Sequence, residues 1–466
     1  QRWFGGKDGP IDDLTINTTT PLRTGDPALH HLILNVHQNN TTDHYQLLLG
    51  VRRDLPEPLR HVAIGRTDGE HGIDGHVYDA VHDPELTRRL LAHIADETTA
   101  GPLRFHRAPG PSTGIRTDLD GAPITAEQSN TSLVFGNVHI LKLFRRLSPG
   151  VNPDLEVNLA LSRRGSHHVP AVHGWIELNP GEDDTGEDDT GGEPTTLALL
   201  SEYLHGTTDG WRLALTSVRD WLGQPTVPGT ATPEFTLSDA GAAGGDFAAE
   251  AERLGAATAE VHRDLAAAFG VTRAPATVLR ETVYAMNEQL DQVSAAVPEI
   301  RPYAHTLREA FDEVAAGARA LPVQRVHGDY HLGQVLRTGM GWVLLDFEGE
   351  PDRAAAARRS PAHPLRDVAG MLRSFEYAAR FLIAGDADLS PDTADALELR
   401  AQAWAEHNRK AFCDGYAAAG GVDPAAHAAL LRAFEFDKAV YEVRYEARNR
   451  PSWLPVPLNS LARLTD

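Results

Sequence analysis

The chain has 466 residues, more than one hydrophobic core usually serves, so we expect two or three packed subdomains. Its formal net charge of −22 at pH 7 repels phosphate backbones and anionic lipid, which argues against nucleic acid and membrane surfaces as partners. A single cysteine, Cys413, excludes an internal disulfide and a Cys-based structural zinc site. A lone cysteine suits a reducing compartment and so predicts a cytoplasmic protein, and the sequence contains no run of about 18 apolar residues that would predict a membrane span.

The first hundred residues have the pattern of a small α+β unit. Residues 30–37 and 44–51 alternate or run apolar on either side of a turn-rich segment, which predicts a β-hairpin. Residues 75–81 predict another strand. Asp83-Pro84 then supplies an N-cap and a first-turn proline for a helix through about Glu97.

Four further strands are predicted between about residues 105 and 204. They span residues 131–135, 138–144, 171–178 and 195–203. Gly136-Asn137 predicts a two-residue turn of the primed type between the first two, and Asn152-Pro153 opens a helix that Gly165 closes. The repeat Gly-Glu-Asp-Asp-Thr at residues 181–190 is acidic and low in complexity, so we interpret it as a solvated loop.

After Gly206 the apolar residues recur at helical spacing. The predicted helices span residues 209–222, 246–269, 279–297 and 304–321, and helices return from residue 364 to the C-terminus. A short strand pair, 324–326 with 343–347, interrupts them. The sequence therefore predicts a strand-rich lobe followed by a mostly helical lobe.

The densest group of chemically active residues lies in and around that strand pair. Asp329 precedes the amide of Gln334 by five residues, and Asp346 follows an apolar strand, an arrangement that phosphoryl transfer requires. Asp329 is predicted to accept the substrate hydroxyl proton. Gln334, Asp346 and Glu348 offer the oxygen ligands that Mg²⁺ prefers. The alternative is a histidine-bearing turn followed by an aspartate that only caps local backbone.

Phosphoryl transfer also needs a cation for the nucleotide phosphates. Lys142 lies in an otherwise apolar strand and is the only lysine between Lys7 and Lys410. We predict that it pairs with Glu156 in the first turn of the following helix, where a carboxylate also suits the helix dipole. As an isolated feature, Glu156 would be an ordinary first-turn acid.

The chain lacks the glycine-rich loop of protein kinases. Hydroxyl, amide and backbone donors in a turn could cover phosphates instead, although alone this string would be a simple turn. These residues are Ser129, Asn130, Thr131 and Ser132. An adenine-binding hinge is expected where the last strand ends, at Ser201, Glu202, Tyr203 and Leu204.

Seven segments of the chain together resemble bacterial maltokinases, nearly from end to end. They are Arg2 to Lys7 (RWFGGK), Glu127 to Ser132 (EQSNTS), Ile140 to Phe144 (ILKLF), His327 to Gln334 (HGDYHLGQ), Asp346 to Pro351 (DFEGEP), Pro364 to Leu372 (PLRDVAGML) and Asp437 to Glu442 (DKAVYE). The resemblance implies an α+β, bilobal, protein-kinase-like fold similar to aminoglycoside phosphotransferases, with an N-terminal α+β cap. It also implies that ATP and Mg²⁺ serve to phosphorylate maltose at its anomeric C1 hydroxyl, feeding maltose 1-phosphate into α-glucan (glycogen) synthesis.

On this resemblance, residues 1–104 form the cap, 105–205 a nucleotide-binding subdomain and 206–466 a helical lobe. Asp329 is then the base, and Lys142 and Glu156 are the nucleotide pair. The acidic repeat departs from the family and is treated as a loop insertion. Related glucosamine kinases share the architecture, but there we expect Asp-Phe-Asp-Gly-Asn where this chain has Asp346 to Glu350 (DFEGE), which favours maltose.

Helical spacing and the resemblance together suggest an acceptor site on residues 436–448. Val440, Val443 and Ala447 should face the core, which leaves a flanking face of an amine, two phenols and a carboxylate. The expected sugar contacts are Lys438, Tyr441, Glu442 and Tyr445, with His331 and Arg366 as further candidates. The alternatives are a solvated helix face, or an acceptor site at Arg366, Asp367 and Tyr377.

Two rival functions remain open at this point. One is a kinase for another small sugar or aminosugar such as glucosamine. The other is a catalytically silent kinase fold that docks a maltose-producing enzyme, such as trehalose synthase, through the cap. Lys142, Asp329, Gln334 and Asp346 are all intact, which a silent module has no physical need to keep.

Overall fold

The computed structural model describes residues 3–6, 9–68, 74–109, 114–124, 129–179, 193–223, 246–350, 355–384 and 390–465. The acidic repeat at 181–190 lies outside these ranges. The chain divides into two compact units. Unit 1 comprises Gln1–Arg163 and Pro170–His205, and unit 2 comprises Arg164–Val169 and Gly206–Asp466. The division into cap, nucleotide-binding subdomain and helical lobe stays a prediction.

Unit 1 is built mainly from antiparallel strands. In chain order its strands are β1 (Asp13–Arg23), β2 (Ala28–Gln38), β3 (Thr41–Arg52), β4 (Ala63–Asp68), β5 (Asp74–Asp79), β6 (Thr99–Ala100), β7 (Leu103–Arg107), β8 (Gly121–Pro123), β9 (Thr131–Phe135), β10 (His139–Leu143), β11 (Arg146–Leu147), β12 (Val172–Leu178) and β13 (Thr195–Glu202). Its helices are α1 (Pro84–Ala95) and α2 (Pro153–Arg163). Among the described residues, one sheet has the order β1-β2-β3-β5-β4 with β11 beside β3, and the other has the order β6-β7-β12-β13-β10-β9-β8.

The local turn and cap predictions in unit 1 are confirmed. Gly136 and Asn137 take φ values of 53° and 54°, which the primed turn predicted between β9 and β10 requires, and the predicted hairpin across Asn39 and Asn40 joins β2 to β3. The side chain of Asp83 accepts a hydrogen bond from the Glu85 N–H at 3.0 Å and so caps α1. The sequence analysis missed β1, because its residues are mostly exposed and give little apolar signal.

The second sheet places Lys142 on one face and a buried core on the other. Along β10, Leu141 and Leu143 are buried and pack with Phe135 and with Leu90 of α1 in one apolar cluster. Because side chains alternate across a strand, Lys142 projects from the opposite face. Both neighbouring strands fix its backbone, since β10 pairs with β9 and with β13.

Unit 2 is mostly helical, as predicted. Its helices are α3 (Gly210–Leu222), α4 (Ala248–Phe269), α5 (Ala276–Ala296), α6 (Ala304–Ala316), α7 (Ala355–Arg358), α8 (Leu365–Ala384), α9 (Pro391–Ala418), α10 (Ala428–Asn449) and α11 (Pro455–Thr465). Its strands are β14 (Thr208–Asp209), β15 (Val271–Ala274), β16 (Leu321–Gln324), β17 (Val335–Thr338) and β18 (Gly341–Leu344). No helix in the described ranges is both long and apolar enough to span a bilayer.

The predicted pairing of residues 324–326 with 343–347 is wrong. In the structure β18 pairs with β17, and β16 pairs with β15. The β17–β18 hairpin closes a short loop, with Thr338 opposite Gly341, so it costs little chain entropy. The partner of β16 lies far upstream and is only four residues long, which is too short to give a strand signal.

Candidate active site

A buried carboxylate on α8 shapes the loop that precedes β17. Asp367 accepts hydrogen bonds from the backbone N–H groups of His327, at 2.7 Å, and Gly328, at 2.9 Å. The same carboxylate accepts a hydrogen bond from His262 of α4 at 2.9 Å. Burial opposes its charge, but these partners outweigh burial and hold the pKa of Asp367 below its usual value. The loop backbone is therefore clamped to the helical core.

Further buried contacts fix the same loop on both sides of Asp329. Gly328 takes a φ of 89°, which glycine adopts without strain. The buried Tyr330 forms a hydroxyl–hydroxyl hydrogen bond with Thr258 of α4 at 2.7 Å. At Gly370 of α8, a Cβ atom would lie 2.6 Å from the carbonyl oxygen of Tyr330, so only glycine permits this close approach. The loop presents Asp329 from a rigid frame, as a positioned base requires.

Asp329 itself is only partly buried and faces a lysine from α10. Its Oδ1 lies 3.4 Å from Nζ of Lys438, and the same ammonium lies 2.9 Å from Oε1 of Glu350. Burial alone would lower the pKa of Lys438, but the carboxylates of Glu350 and Asp329 outweigh it and raise the pKa. Lys438 is therefore a permanent cation beside the candidate base.

The structure brings the predicted metal ligands Gln334 and Asp346 together. Nε2 of Gln334 donates a hydrogen bond to Oδ2 of Asp346 at 3.0 Å, and the Leu345 N–H donates to the Gln334 carbonyl oxygen at 2.9 Å. Asp346 has a φ of 64°, a left-handed conformation that aims its side chain as β18 ends. Glu348 lies two residues on, with Oε2 3.9 Å from Nη1 of Arg358. Amide and carboxylate oxygens are hard donors, so this set fits Mg²⁺.

His331 has a local structural role. Its Nδ1 accepts a hydrogen bond from the Gly333 N–H at 3.1 Å, which caps the short 3₁₀ turn Leu332–Gln334. Burial, with smaller effects from neighbouring charges, lowers the pKa of His331. A direct sugar contact by His331 stays a prediction.

An open cleft in unit 2 borders the Asp329 loop. Its walls come from the loop, from α5, α8 and α10, and from the segment after β18. The lining residues are Gln289, Gly328, Tyr330, Glu350, Arg366, Asp367, Gly370, Phe434, Asp437, Lys438 and Tyr441. Gly328 and Tyr330 flank Asp329 in the chain, so the cleft lies beside the loop that carries this carboxylate.

Three of the predicted substrate residues, Arg366, Lys438 and Tyr441, line this cleft. Glu442 is not among its lining residues, because it is buried and binds the guanidinium of Arg373 at 2.5 Å. Tyr445 is also outside the lining and stacks on Tyr441, with ring centroids 6.3 Å apart.

Two residues of the alternative acceptor site, Asp367 and Tyr377, have partners within unit 2. Asp367 accepts a hydrogen bond from the His327 N–H, and the Tyr377 hydroxyl donates to Glu446 at 3.3 Å.

Sequence reasoning missed Glu350 as a partner of Lys438. Their separation of 88 residues leaves no local signal for the pairing.

In unit 1, Lys142 pairs with a carboxylate of the first turn of α2. Its Nζ lies 3.0 Å from Oδ2 of Asp154, and Asn158 donates to Oδ1 of the same carboxylate at 2.9 Å. The sequence analysis chose Glu156, two residues further along the same helix, and that pair stays a prediction. The prediction rests on an acid in the first turn of α2 that orients the amine, and Asp154 is an acid in that turn that contacts it.

The other nucleotide candidates lie in and beside the second sheet of unit 1. Thr131 and Ser132 are buried in β9, where the Thr131 hydroxyl accepts a hydrogen bond from Arg145 at 2.8 Å. Ser129 and Asn130 precede this strand. Ser201 and Glu202 end β13, followed by Tyr203, whose N–H donates to the Val138 carbonyl oxygen at 3.0 Å, and Leu204. Nucleotide contacts by both segments stay predictions.

Models of two protein families match segments of this chain. Residues 1–83 match the model of the maltokinase N-terminal cap domain, and residues 240–430 match the model of the phosphotransferase enzyme family. A glucosamine kinase from Mycolicibacterium smegmatis is 31% identical over 351 residues, which cover 74% of this chain and 79% of that protein. A glucosamine kinase from Streptacidiphilus jiangxiensis is 28% identical over 388 residues, which cover 79% and 80%.

Two solved structures share the fold at lower identity. A glucosamine kinase in complex with glucosamine, ADP and inorganic phosphate has a TM-score of 0.66 and 24% identity, over 98% of this chain and 96% of that chain. A glucosamine kinase structure described as crystal form B has a TM-score of 0.69 and 24% identity, over 99% of this chain and 96% of that chain. These likenesses confirm the predicted kinase-like fold class with its N-terminal cap.

Proposed function

This chain belongs to the phosphotransferase enzyme family, in the branch that carries a maltokinase-type cap, and on that premise we propose that it is an ATP-dependent maltokinase. The reaction transfers the γ-phosphate of ATP to the anomeric C1 hydroxyl of maltose. The product, maltose 1-phosphate, would serve α-glucan synthesis.

The observation that supports the proposal is the clamped loop that carries Asp329 next to the cleft-lining residues Gly328 and Tyr330, followed within the same short stretch by the hydrogen-bonded pair Gln334 and Asp346. Asp329 accepts the proton of the sugar hydroxyl and orients the oxygen in line with the phosphorus. Such transfer depends mainly on positioning and on electrostatic stabilisation. Gln334, Asp346 and Glu348 would hold Mg²⁺, which neutralises phosphate charge when it is bound.

The nucleotide contacts are proposed for unit 1. Lys142, held by Asp154, binds the α- and β-phosphates, with Glu156 as a further partner. Ser129, Asn130, Thr131 and Ser132 contribute donors to the phosphates. Adenine binds at the strand end formed by Ser201, Glu202, Tyr203 and Leu204.

Maltose as the acceptor has two supports. The cap matches the maltokinase model, and the segment Asp346 to Glu350 has Glu348 and Glu350 where we expect Asp and Asn in glucosamine kinases. Glucosamine is the second candidate, because the named relatives at 28% and 31% identity are glucosamine kinases. The cytoplasmic location and a complex with a maltose-producing enzyme such as trehalose synthase stay predictions.

A coupled ADP-release assay tests the proposal with maltose, glucosamine, glucose and an aminoglycoside as acceptors, with and without Mg²⁺. We expect maltose to give the highest kcat/KM, and phosphorus NMR to show an anomeric phosphate ester. A higher kcat/KM for glucosamine would replace maltose with the second candidate. If no acceptor supports ADP release above the ATPase background, the kinase proposal is wrong.

A further inference from the structure

The ion pair between Lys438 and Glu350 joins the candidate base to the acceptor cleft. The Lys438 ammonium contacts Glu350 at 2.9 Å and Asp329 at 3.4 Å, and it lies 5.0 Å from the ring centroid of Tyr441. The second oxygen of Glu350 lies 3.9 Å from Nη2 of Arg366. Glu350 therefore faces a cation on both sides.

The other carboxylates of the cleft wall face other partners. Asp367 accepts hydrogen bonds from the loop backbone and from His262. Asp437 accepts a hydrogen bond from Nε2 of Gln289 at 3.1 Å. In the described part of the cleft, Asp329 contacts the ammonium of Lys438, which in turn contacts Glu350, and Glu350 lies beside Arg366.

The ammonium of Lys438 should interact differently with neutral and with cationic acceptor sugars. A sugar hydroxyl that reaches Asp329 brings its ring next to the Lys438 ammonium, which has three donors and no acceptor. A hydroxyl or ring oxygen of a neutral sugar accepts a hydrogen bond from it. The ammonium of an aminosugar offers only donors. If it lies next to the Lys438 ammonium, the two positive charges repel each other strongly, because the site is partly desolvated.

Glu350 is the carboxylate best placed to offset the charge of such an amine. Because Lys438 and Arg366 already neutralise it, binding an aminosugar there would break an existing ion pair. On the basis of the proposed function, we propose that the Lys438–Glu350 pair is a specificity determinant that admits neutral sugars and rejects aminosugars.

The test compares glucose with glucosamine, which differ at one position by a hydroxyl or an ammonium, in the ADP-release assay. In Lys438→Met the stem remains but the charge is lost, so the ratio of kcat/KM for glucosamine to that for glucose should rise by about 10- to 100-fold. Lys438→Arg keeps a cation and should stay close to wild type in this ratio. Lys410→Met removes an exposed lysine that pairs with Asp414, and it should leave the ratio unchanged.

N-acetylglucosamine, a neutral derivative of glucosamine, provides a second readout, because its use relative to glucose should not rise in Lys438→Met. An unchanged glucosamine-to-glucose ratio in a folded Lys438→Met would overturn the inference, and so would an equal rise in Lys438→Arg. If wild-type protein phosphorylates maltose and glucose while Lys438→Met leaves the ratio unchanged, only the specificity inference fails. If wild-type protein phosphorylates no sugar, the proposed function fails and the inference falls with it.

Discussion

The two units hold their charged functional groups in different ways. In unit 1, Lys142 projects from the middle of a strand, and the ladders to β9 and β13 fix its backbone on both sides. In unit 2, Asp329 and Asp346 lie on loops: the buried Asp367 clamps the backbone before Asp329, and Asp346 accepts a hydrogen bond from Gln334. A strand carries its side chain by regular geometry, whereas a loop needs specific partners. Substitutions of the residues that position these charged groups should therefore lower activity more in unit 2 than in unit 1.

The largest effect is expected at Asp346, because the left-handed backbone and the predicted metal ligand coincide there. Asn tolerates this backbone, so Asp346→Asn should fold normally while it loses the carboxylate charge. Turnover should fall by about 10³- to 10⁵-fold, the range of charged groups that stabilise phosphoryl transfer. A Mg²⁺ titration of initial rates checks the role, since excess metal should restore little. Wild-type rates at ordinary Mg²⁺ would contradict the assignment.

Asp329→Asn tests the base on the same loop. The amide keeps the shape of the side chain but cannot accept the hydroxyl proton, so kcat should fall by about 10²- to 10⁴-fold. Single-turnover rates with maltose, together with ATP affinity from equilibrium binding, separate chemistry from nucleotide binding. ATP affinity should stay near wild type. Turnover within a few fold of wild type would show that Asp329 is not the base.

Lys142→Met probes the strand-borne cation of unit 1. Loss of a charge-assisted contact to phosphate should lower kcat/KM for ATP by about 10- to 100-fold, with a smaller change in maltose affinity. Asn158→Ala, which removes a donor to Asp154, provides the matched scaffold variant and should cost less because the strand still positions the lysine. Equal damage to both substrates in Lys142→Met would point to a folding defect instead.

Asp367→Asn is the corresponding scaffold variant of unit 2. A carboxylate whose pKa is lower in the folded state stabilises the fold above its unfolded pKa, near 4, and this contribution is lost as the pH falls through the folded value. At pH 7 the variant should lose about 1 to 3 kcal/mol of stability. The difference from wild type should shrink as the pH is lowered below about 4.

Urea unfolding at several pH values measures that difference. Asp414→Asn, which removes an exposed carboxylate paired with Lys410, serves as the control and should change stability little. A stability loss in Asp367→Asn that stays constant from pH 7 to pH 3 would contradict a role for the carboxylate charge.

The difference between the units also explains how far the sequence could predict the structure. Turns, caps and helices depend on local residues, so Asn39-Asn40, Asp83 and the helices of unit 2 were predictable. Asp329, Gln334 and Asp346 lie within one short stretch, so their spacing indicates their chemistry. Partners from distant segments carry no such signal. Asp367 lies 40 residues from His327, and Glu350 lies 88 residues from Lys438.

Two pairs of neighbouring charged residues cannot be told apart from the sequence for a related reason. Asp154 and Glu156 are both acids in the first turn of α2, and spacing alone does not single out Asp154, which contacts Lys142 at 3.0 Å. Glu442 and Lys438 share a helix face by spacing. Burial of Arg373 draws Glu442 into the core, while Lys438 stays at the cleft.

The smallest expected effect concerns Tyr441, which lies in the cleft wall next to the outer surface of α10. Its ring lines the cleft and would support the apolar face of a sugar, whereas Tyr445 stacks on it from outside the lining. Tyr441→Ala should raise the KM for maltose by about 3- to 10-fold with little change for ATP, because one neutral contact contributes about 0.5 to 1.5 kcal/mol. Tyr441→Phe should keep most of this affinity if the ring dominates, and Tyr445→Ala should change KM less than Tyr441→Ala does. Equal increases in Tyr441→Ala and Tyr445→Ala would show that the aromatic pair acts as one surface, and unchanged maltose kinetics in both would place the acceptor away from α10.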